Sequence, residues 1–466
     1  MTRDETIALW QRCEEARTAA IAEGKTEEEA HEAAKEIWNG WANVLLAKRK
    51  ALVSKRSWNS RYYEDPSNYG EREYGGNEET PEWLQEATCD FSELQFGGEN
   101  SGEAEVGGTA SFASRGGNQI RRIPNFDGYI FPGDAEFRST GFLGPSSFAG
   151  TVFHGIAGFR GTAFSNGVWF TRADFKQAAW FAQTKFAGLA DFDEATFRGW
   201  ARFAGARFEQ LANFEAAKFV KRAWFRGCVF SKRGLFDKAV FEGEADFSGS
   251  FFEQSFEMRS AYFSAAPSFS QTSFNEIPDF EDVAFRLPGM WFGHKIEEAG
   301  NYRHIRRLAM QGQDYENEAK AFKGEIRSKR GTTHKWYQAA FWSGVTYDAL
   351  SDFGQSISRP LFFWVTSVIA FAGAYLWSAG VPADRWLGPC SAGQASTAVI
   401  ALTFSASNSL PLIGPPRTGE GKAFVDCVSP NQIPDWAALV QVGQAMWSTV
   451  LVFLFLLAVR NQFRIK

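Results

Sequence analysis

Phenylalanine recurs along the middle of the chain with gaps that alternate between five and six residues: Phe126, Phe131, Phe137, Phe142, Phe148, Phe153 and onward to Phe285. The underlying period is eleven. One series steps from Phe126 to Trp291 and is interrupted by Met258; the other runs unbroken from Phe131 to Phe285, and 29 of the 31 slots hold Phe. Two residues before most of these slots stands a small side chain, as in Ala173-Asp174-Phe175, Ala190-Asp191-Phe192, Ala212-Asn213-Phe214 and Ala245-Asp246-Phe247. Period eleven suits a right-handed helical coiled coil. Gly, Asp, Asn and Ser are dense between the Phe, however, and helix caps are missing, so the helical alternative fails on propensity. Short segments ending in turns predict instead a β-solenoid, whose coils stack about 4.8 Å apart and line up identical side chains inside. Each ladder Phe is then a core residue, and burying it contributes about 2–3 kcal/mol.

The flanks carry helical patterns. Residues 4–22 and 27–53 read as helices, the second opened by a capping box of Thr26 with Glu29. Ala30, Ala33, Ile37, Trp38, Trp41 and Leu45 give it an apolar stripe. No apolar stretch opens the sequence, so no secretory signal is expected and the front of the protein is placed in the cytoplasm. Residues 54–80 lack periodicity and read as a loop. Cys89-Asp90-Phe91 and Phe96 look like an isolated early repeat, set apart by a Gly-rich insert, Gly97 to Gly117, expected to be an edge-capping loop. After the ladder, 297–330 reads as a charged helix with Tyr302, Ile305, Leu308, Tyr315, Ala319 and Phe322 on one stripe. Residues 333–351 follow as a shorter helix with Trp336, Tyr337, Phe341 and Trp342 near Lys329, Arg330 and Lys335. That composition suits a helix at a membrane interface, or a soluble amphipathic helix packed on the solenoid.

Two stretches are long and uncharged enough to cross a bilayer: the 21 residues from Pro360 to Gly380, and Trp436 to Val459. Arg359 precedes the first and Arg460, Arg464 and Lys466 follow the second, which places both termini and the solenoid in the cytoplasm. Between them, 394–414 is also uncharged but turns into Ser, Asn, Pro and Gly halfway along, and as a helix it is too short to cross. A re-entrant element is expected, helical over about 394–405 and extended beyond, which is tolerated at membrane depth where it is buried in protein or lines water. On the second span, Gln441, Gln444 and Ser448 share one stripe with Val452, Phe455 and Val459. Polar residues there face protein or water: they line a pore closed by Val452 and Phe455, or they pack helix against helix. Cys390 and Cys427 both fall in the loop predicted outside, where one disulfide is permitted; two unrelated thiols are the alternative.

Composition removes other classes. The 49 basic and 54 acidic residues leave a net charge of −5, which argues against a chain devoted to nucleic-acid phosphates. The five His have no ligand spacing, and no nucleophile motif or phosphate loop is present. No metal, cofactor or enzymatic activity is expected.

The repeated small residue, Asp or Asn, and Phe resembles the pentapeptide-repeat proteins over about residues 120–292. The resemblance implies a right-handed quadrilateral β-helix with the Phe and the small residue both pointing inward. The six-residue gaps then lengthen each coil to 22 residues, giving about eight coils. Some proteins of that family mimic DNA and bind type II topoisomerases. Residues 120–295 carry 20 Lys or Arg against 19 Asp or Glu, and a phosphate mimic needs a single-signed face.

The order span, half-helix, span over about 356–466 resembles the two-transmembrane pore-loop channels of the potassium-channel-like superfamily. The filter Thr-Val-Gly-Tyr-Gly is missing, and Ser405-Ala406-Ser407-Asn408-Ser409-Leu410-Pro411 takes its place. Thr403, Ser405, Ser407, Asn408 and Ser409 would line a less selective pore. The tail Arg460-Asn461-Gln462-Phe463-Arg464-Ile465 is similar to that of bacterial proteins joining pentapeptide repeats to such a domain.

The expected protein is multidomain: N-terminal helices (1–53), an irregular capping region (54–119), a β-solenoid (120–295), a linker with interfacial helices (296–352), and an α-helical membrane domain of two spans with a re-entrant pore loop (353–466). The expected function is that of an ion-channel subunit in a bacterial-type inner membrane. Its pore would be built by 394–414 and 436–459 of several copies, four being the expected homo-oligomer and other numbers open. Its partners would be permeant ions and lipid, with no nucleic acid. The alternative is a membrane-anchored scaffold whose solenoid binds a partner protein.

Overall fold

The alternation of five- and six-residue gaps has a conformational cause. Two residues after each Phe of the first series the backbone enters the left-handed region, at Gly128, Ser139, Gly150 and every eleventh residue on to Asp282. The residue that follows donates its N–H back to that Phe, as Ala173 does to Phe170 (3.0 Å). This turn, with φ of 58° at Arg172, has the form of a type II turn and closes its corner in five residues; the other corners take six. A side chain in the left-handed region costs about 1–2 kcal/mol, and stacking of coils above and below holds it there.

The structure, a computed structural model, describes residues 1–55, 58, 60–62, 72–74, 79–96, 119–120, 124–291, 296–330, 332–390, 395–409, 420–428 and 435–464. These form two compact units, Met1–Leu287 with Glu297–Glu325, and Pro288–Ile296 with Ile326–Lys466.

The first unit is a β-solenoid of about seven turns. Strands of two residues pair in parallel with strands 22 residues away, so Val152-Phe153 lies between Ile130-Phe131 and Asp174-Phe175, and four parallel sheets of six to nine strands result. Inside, rings 22 residues apart stack face to face: Phe170 on Phe192 at 4.9 Å and Phe192 on Phe214 at 4.8 Å. Rings eleven apart meet edge to face, as Phe181 and Phe192 do at 5.4 Å; both geometries suit the ring quadrupole. Small residues fill the remaining interior, and their hydroxyls bond across coils, as from Thr162 Oγ1 to the Phe137 carbonyl (2.6 Å) and Thr184 Oγ1 to the Phe159 carbonyl (2.6 Å). Where Met258 interrupts the ladder, Phe256 occupies the small-residue slot above Gly234. Both Phe256 and Met258 are buried, so large and small have exchanged places and the volume is kept.

Cys89-Asp90-Phe91 and Phe96 are not an isolated repeat. Cys89-Asp90 pairs with Ala135-Glu136, Gln95-Phe96 pairs with Gly141-Phe142, and Phe91 stacks on Phe137 at 5.0 Å. The solenoid therefore starts at Cys89 rather than at residue 120. The expected edge-capping loop, Gly97 to Gly117, lies outside the described residues.

Helices α1 (Arg3–Ala22) and α2 (Glu27–Ser54), each opened by a capping box, cover this first coil. Buried Trp10 meets Phe91, Phe96 and Phe126, and Trp38 packs on Phe91 and Phe131. The buried stripe of α2 is Ala30, Ala34, Trp38, Ala42 and Leu45; of the expected stripe, Ala33 and Trp41 are half-buried and Ile37 is exposed, because Trp38 sets the helix rotation. Side chains also complete the strand edge. Trp38 Nε1 donates to the Ile130 carbonyl (2.9 Å), and Asn39 Oδ1 accepts from the Ile130 N–H (2.9 Å), which removes a pairing edge. Within 54–119, α3 (Glu79–Ala87) is a helix rather than irregular chain, with Trp83 and Leu84 packed against Leu45.

At the other end, the single helix expected over 297–330 is two, α4 (Ile296–Gln311) and α5 (Tyr315–Lys329). They break at Gly312 and Gln313, the latter with a φ of 56°. Tyr302, Ile305 and Ala321 close the Phe core. Asn301 Nδ2 donates to the Ala266 carbonyl (3.1 Å) and Asn317 Nδ2 to that of Phe280 (2.8 Å), so amide side chains finish both ends of the stack.

The second unit holds α6 (Ala339–Ser351), α7 (Ser358–Ser378), α8 (Thr397–Asn408), α9 (Glu420–Val428) and α10 (Asp435–Arg464). Helix α6 starts six residues later than the expected 333, after a turn.

Close approach of successive coils makes Gly199 a sensitive position. A Cβ there would lie 2.2 Å from the Gln177 carbonyl carbon. Gly199→Ala is expected to destabilise the solenoid by about 1–3 kcal/mol, read as a lower urea midpoint; an unchanged midpoint would show that the coils can separate locally.

Candidate functional site

Two described helices are long and apolar enough to cross a membrane: Ser358–Ser378, 21 residues, and Leu439–Phe463, 25 residues. Pro360 sits in the first turn of α7, where its missing N–H costs no helical bond. Helix α8, 12 residues long, spans about 18 Å at 1.5 Å per residue and cannot cross alone. Its Ser396 cap accepts from the Val399 N–H, and its buried Ala401 and Phe404 pack on Ala372, Tyr375 and Leu376 of α7.

A polar network ties the three helices together. The Tyr375 hydroxyl donates to Gln444 Oε1 (2.7 Å). Gln444 Nε2 donates to the Ser405 carbonyl and to Ser405 Oγ, both at 2.8 Å, and Ser405 Oγ donates to the Val368 carbonyl (2.8 Å). Gln444, Ser405 and Ser448 are buried within the one chain, so Gln444 packs helix against helix, the second of the two roles its polarity allows. Gln441, Val452 and Phe455 are half-buried on α10. Gln444→Leu is expected to loosen α8 at a cost of about 1–2 kcal/mol, seen as a lower unfolding temperature in detergent; no shift would mean that packing alone holds α8.

The expected filter residues are placed differently from the expectation. The helix runs through Ser405, Ser407 and Asn408, and Ser409 keeps helical dihedrals, whereas extended backbone was expected beyond 405. Hydroxyls bond back to carbonyls one turn earlier, Thr403 to Ile400 (2.9 Å) and Ser407 to Phe404 (2.9 Å), so their polarity is satisfied without breaking the helix. Thr403 lies on the exposed side, and Trp364 Nε1 donates to the Ser409 carbonyl (3.4 Å). Leu410 to Gly414 lie outside the described residues. Cys390 and Cys427 form a disulfide with Cα atoms 5.6 Å apart. It fastens α9 beside α8, where Phe424 stacks on Phe404 at 4.3 Å.

Sequence reasoning missed a second cluster, at the head of α7. Asp348, fully buried, accepts two bonds from Arg327 (Nε 2.9 Å, Nη2 2.8 Å) and one from Arg330 Nη1 (2.8 Å). Buried Arg330 also donates to the carbonyls of Met290 and Gly344, and Arg359 Nη1 donates to the Asp348 carbonyl (3.1 Å). Burial alone would raise the Asp348 pKa, but the two guanidinium groups outweigh it and hold the carboxyl below its ordinary value. A signal was present in sequence, since Asp348 is the one charged residue of its helix. Its partners lie 18 and 21 residues away, beyond any helical spacing.

Among the described residues no group of His, Cys, Asp or Glu could hold a metal ion. No curated protein and no solved structure matches the chain. The family model for pentapeptide repeats (nine copies) matches residues 170–218 and 192–237, and the stacked Phe coils there are these repeats, so the chain carries a pentapeptide-repeat β-solenoid.

Proposed function

We propose that this protein is an ion-channel subunit of a bacterial-type inner membrane. In this reading α7 and α10 cross the bilayer, both termini are cytoplasmic, and the solenoid serves assembly or gating. The observation that carries it is α8: an apolar helix half the length of a span, held between two spanning-length helices by Gln444 and Ser405. A mere anchor needs no such element. One subunit has too few helices to enclose a conduit, so several copies, four in the simplest closed ring, would bring their α8 termini to one axis. Ions would pass there, beside Ser407, Asn408 and Ser409. Gln444 would then support α8 from behind rather than line the pore.

The test joins reconstitution with imaging. Ion flux into liposomes, together with a symmetric particle whose axis passes through the α8 termini, is the expected result. A monomer that passes no ions at any voltage, pH or tension would overturn the channel and leave a membrane-anchored scaffold for a partner protein.

A further inference from the structure

We propose that Thr332–Trp342, at the start of the second unit's helices, is a docking surface for the anionic headgroup layer of a bilayer. The inference rests on α7 being a membrane span. Three aromatic side chains within seven residues are turned away from the protein: Trp336 is 68% exposed, Tyr337 70% and Trp342 54%. Their neighbour Phe341 is buried, so the fold covers one aromatic of the segment and leaves three. An indole or phenol sits well where an apolar ring meets hydrocarbon and its polar edge meets water.

Charge selects the occupant. Residues 326–359 hold five cations, Arg327, Lys329, Arg330, Lys335 and Arg359, against two carboxylates, Asp348 and Asp352. Both carboxylates are turned inward: Asp348 is taken by Arg327 and Arg330, and Asp352 lies 3.8 Å from Arg327 and 3.7 Å from Arg359. What remains outward is basic, with Lys335 exposed beside Trp336 and the Arg359 side chain 46% exposed at the head of α7. An aromatic and basic surface that leads through α6 into a candidate span is complementary to anionic phospholipid headgroups. An acidic protein surface would match the charge, but not the continuity with an apolar helix that begins at Ser358.

The test is the depth of a nitroxide on the full chain reconstituted in vesicles. The free cysteines Cys13, Cys89 and Cys228 are buried, so an added surface cysteine is the one a label reaches. Tyr337→Cys is the probe, and Ile369→Cys, on the exposed side of α7, reports the span itself. In vesicles of phosphatidylcholine with phosphatidylglycerol, the label at 337 is expected at headgroup depth, with collisions with a water-soluble nickel chelate reduced about tenfold from those of a free label. It should move outward in pure phosphatidylcholine and when Lys335→Gln is added. A label at 337 open to the chelate, with that at 369 deep in lipid, would overturn this inference and leave the span intact. Both labels in water would overturn the membrane reading with it. Headgroup depth indifferent to lipid charge and to Lys335→Gln would overturn the anionic preference.

Discussion

Phe192→Ala is expected to lower the stability of the solenoid by about 3–5 kcal/mol, the range for truncating a large buried aromatic. Phe192 is fully buried between Phe170 and Phe214, with the edges of Phe181 and Phe203 at 5.4 Å. A ladder is a poor place for a cavity to collapse. The rings above and below are each fixed by strand pairing in their own coils, so neither can move in without breaking backbone bonds. Phe285, half-buried at the end of the stack with one stacked neighbour, Phe263 at 5.8 Å, should cost about half as much when cut to Ala. Urea unfolding followed by circular dichroism separates the two. Nearest-neighbour coupling in a solenoid adds that the middle variant should open a proteolytic site near residues 190–194 before the ends yield. Equal costs at 192 and 285, or a cost under about 1 kcal/mol at 192, would refute the ladder as the source of stability.

Asp348→Asn should cost about 3–5 kcal/mol in the second unit, because it leaves buried Arg330 without its counter-charge and Arg327 with only the more distant Asp352, at 3.8 Å. The pH dependence follows from the sign of the shift. The folded pKa of Asp348 lies below the unfolded value, so the unfolded state takes up the proton first. Its stabilisation is complete above the ordinary carboxylate range and is lost as pH falls through the folded value. Thermal unfolding at pH 7 should therefore separate wild type from variant widely, and the gap should narrow below about pH 4. A gap that stays constant into acid would assign the effect to packing. Replacing Asp348, Arg327 and Arg330 together with apolar residues should recover much of the loss, since it removes the unpaired charges.

Much of this protein is legible in one dimension. A side chain that fills the same slot in every coil must recur at the period of the coil, so the Phe ladder announces the solenoid. The capping box at Thr26 acts within three residues, and helices long enough to cross a membrane declare themselves by uncharged length. These are local or strictly periodic causes. Other features depend on partners that sequence distance hides. Cys89–Phe96 becomes the first coil because stacking requires adjacency in space, and its partners Ala135–Phe142 lie more than forty residues on. The rotation of α2 was set by the hole that Trp38 fills, not by its own apolar count. Ser405 to Asn408 remained helical because Gln444, 39 residues away, and back-bonded hydroxyls satisfied them. The Asp348 cluster formed because burial makes an unpaired charge too costly, and only the tertiary structure could bring two arginines to one carboxylate.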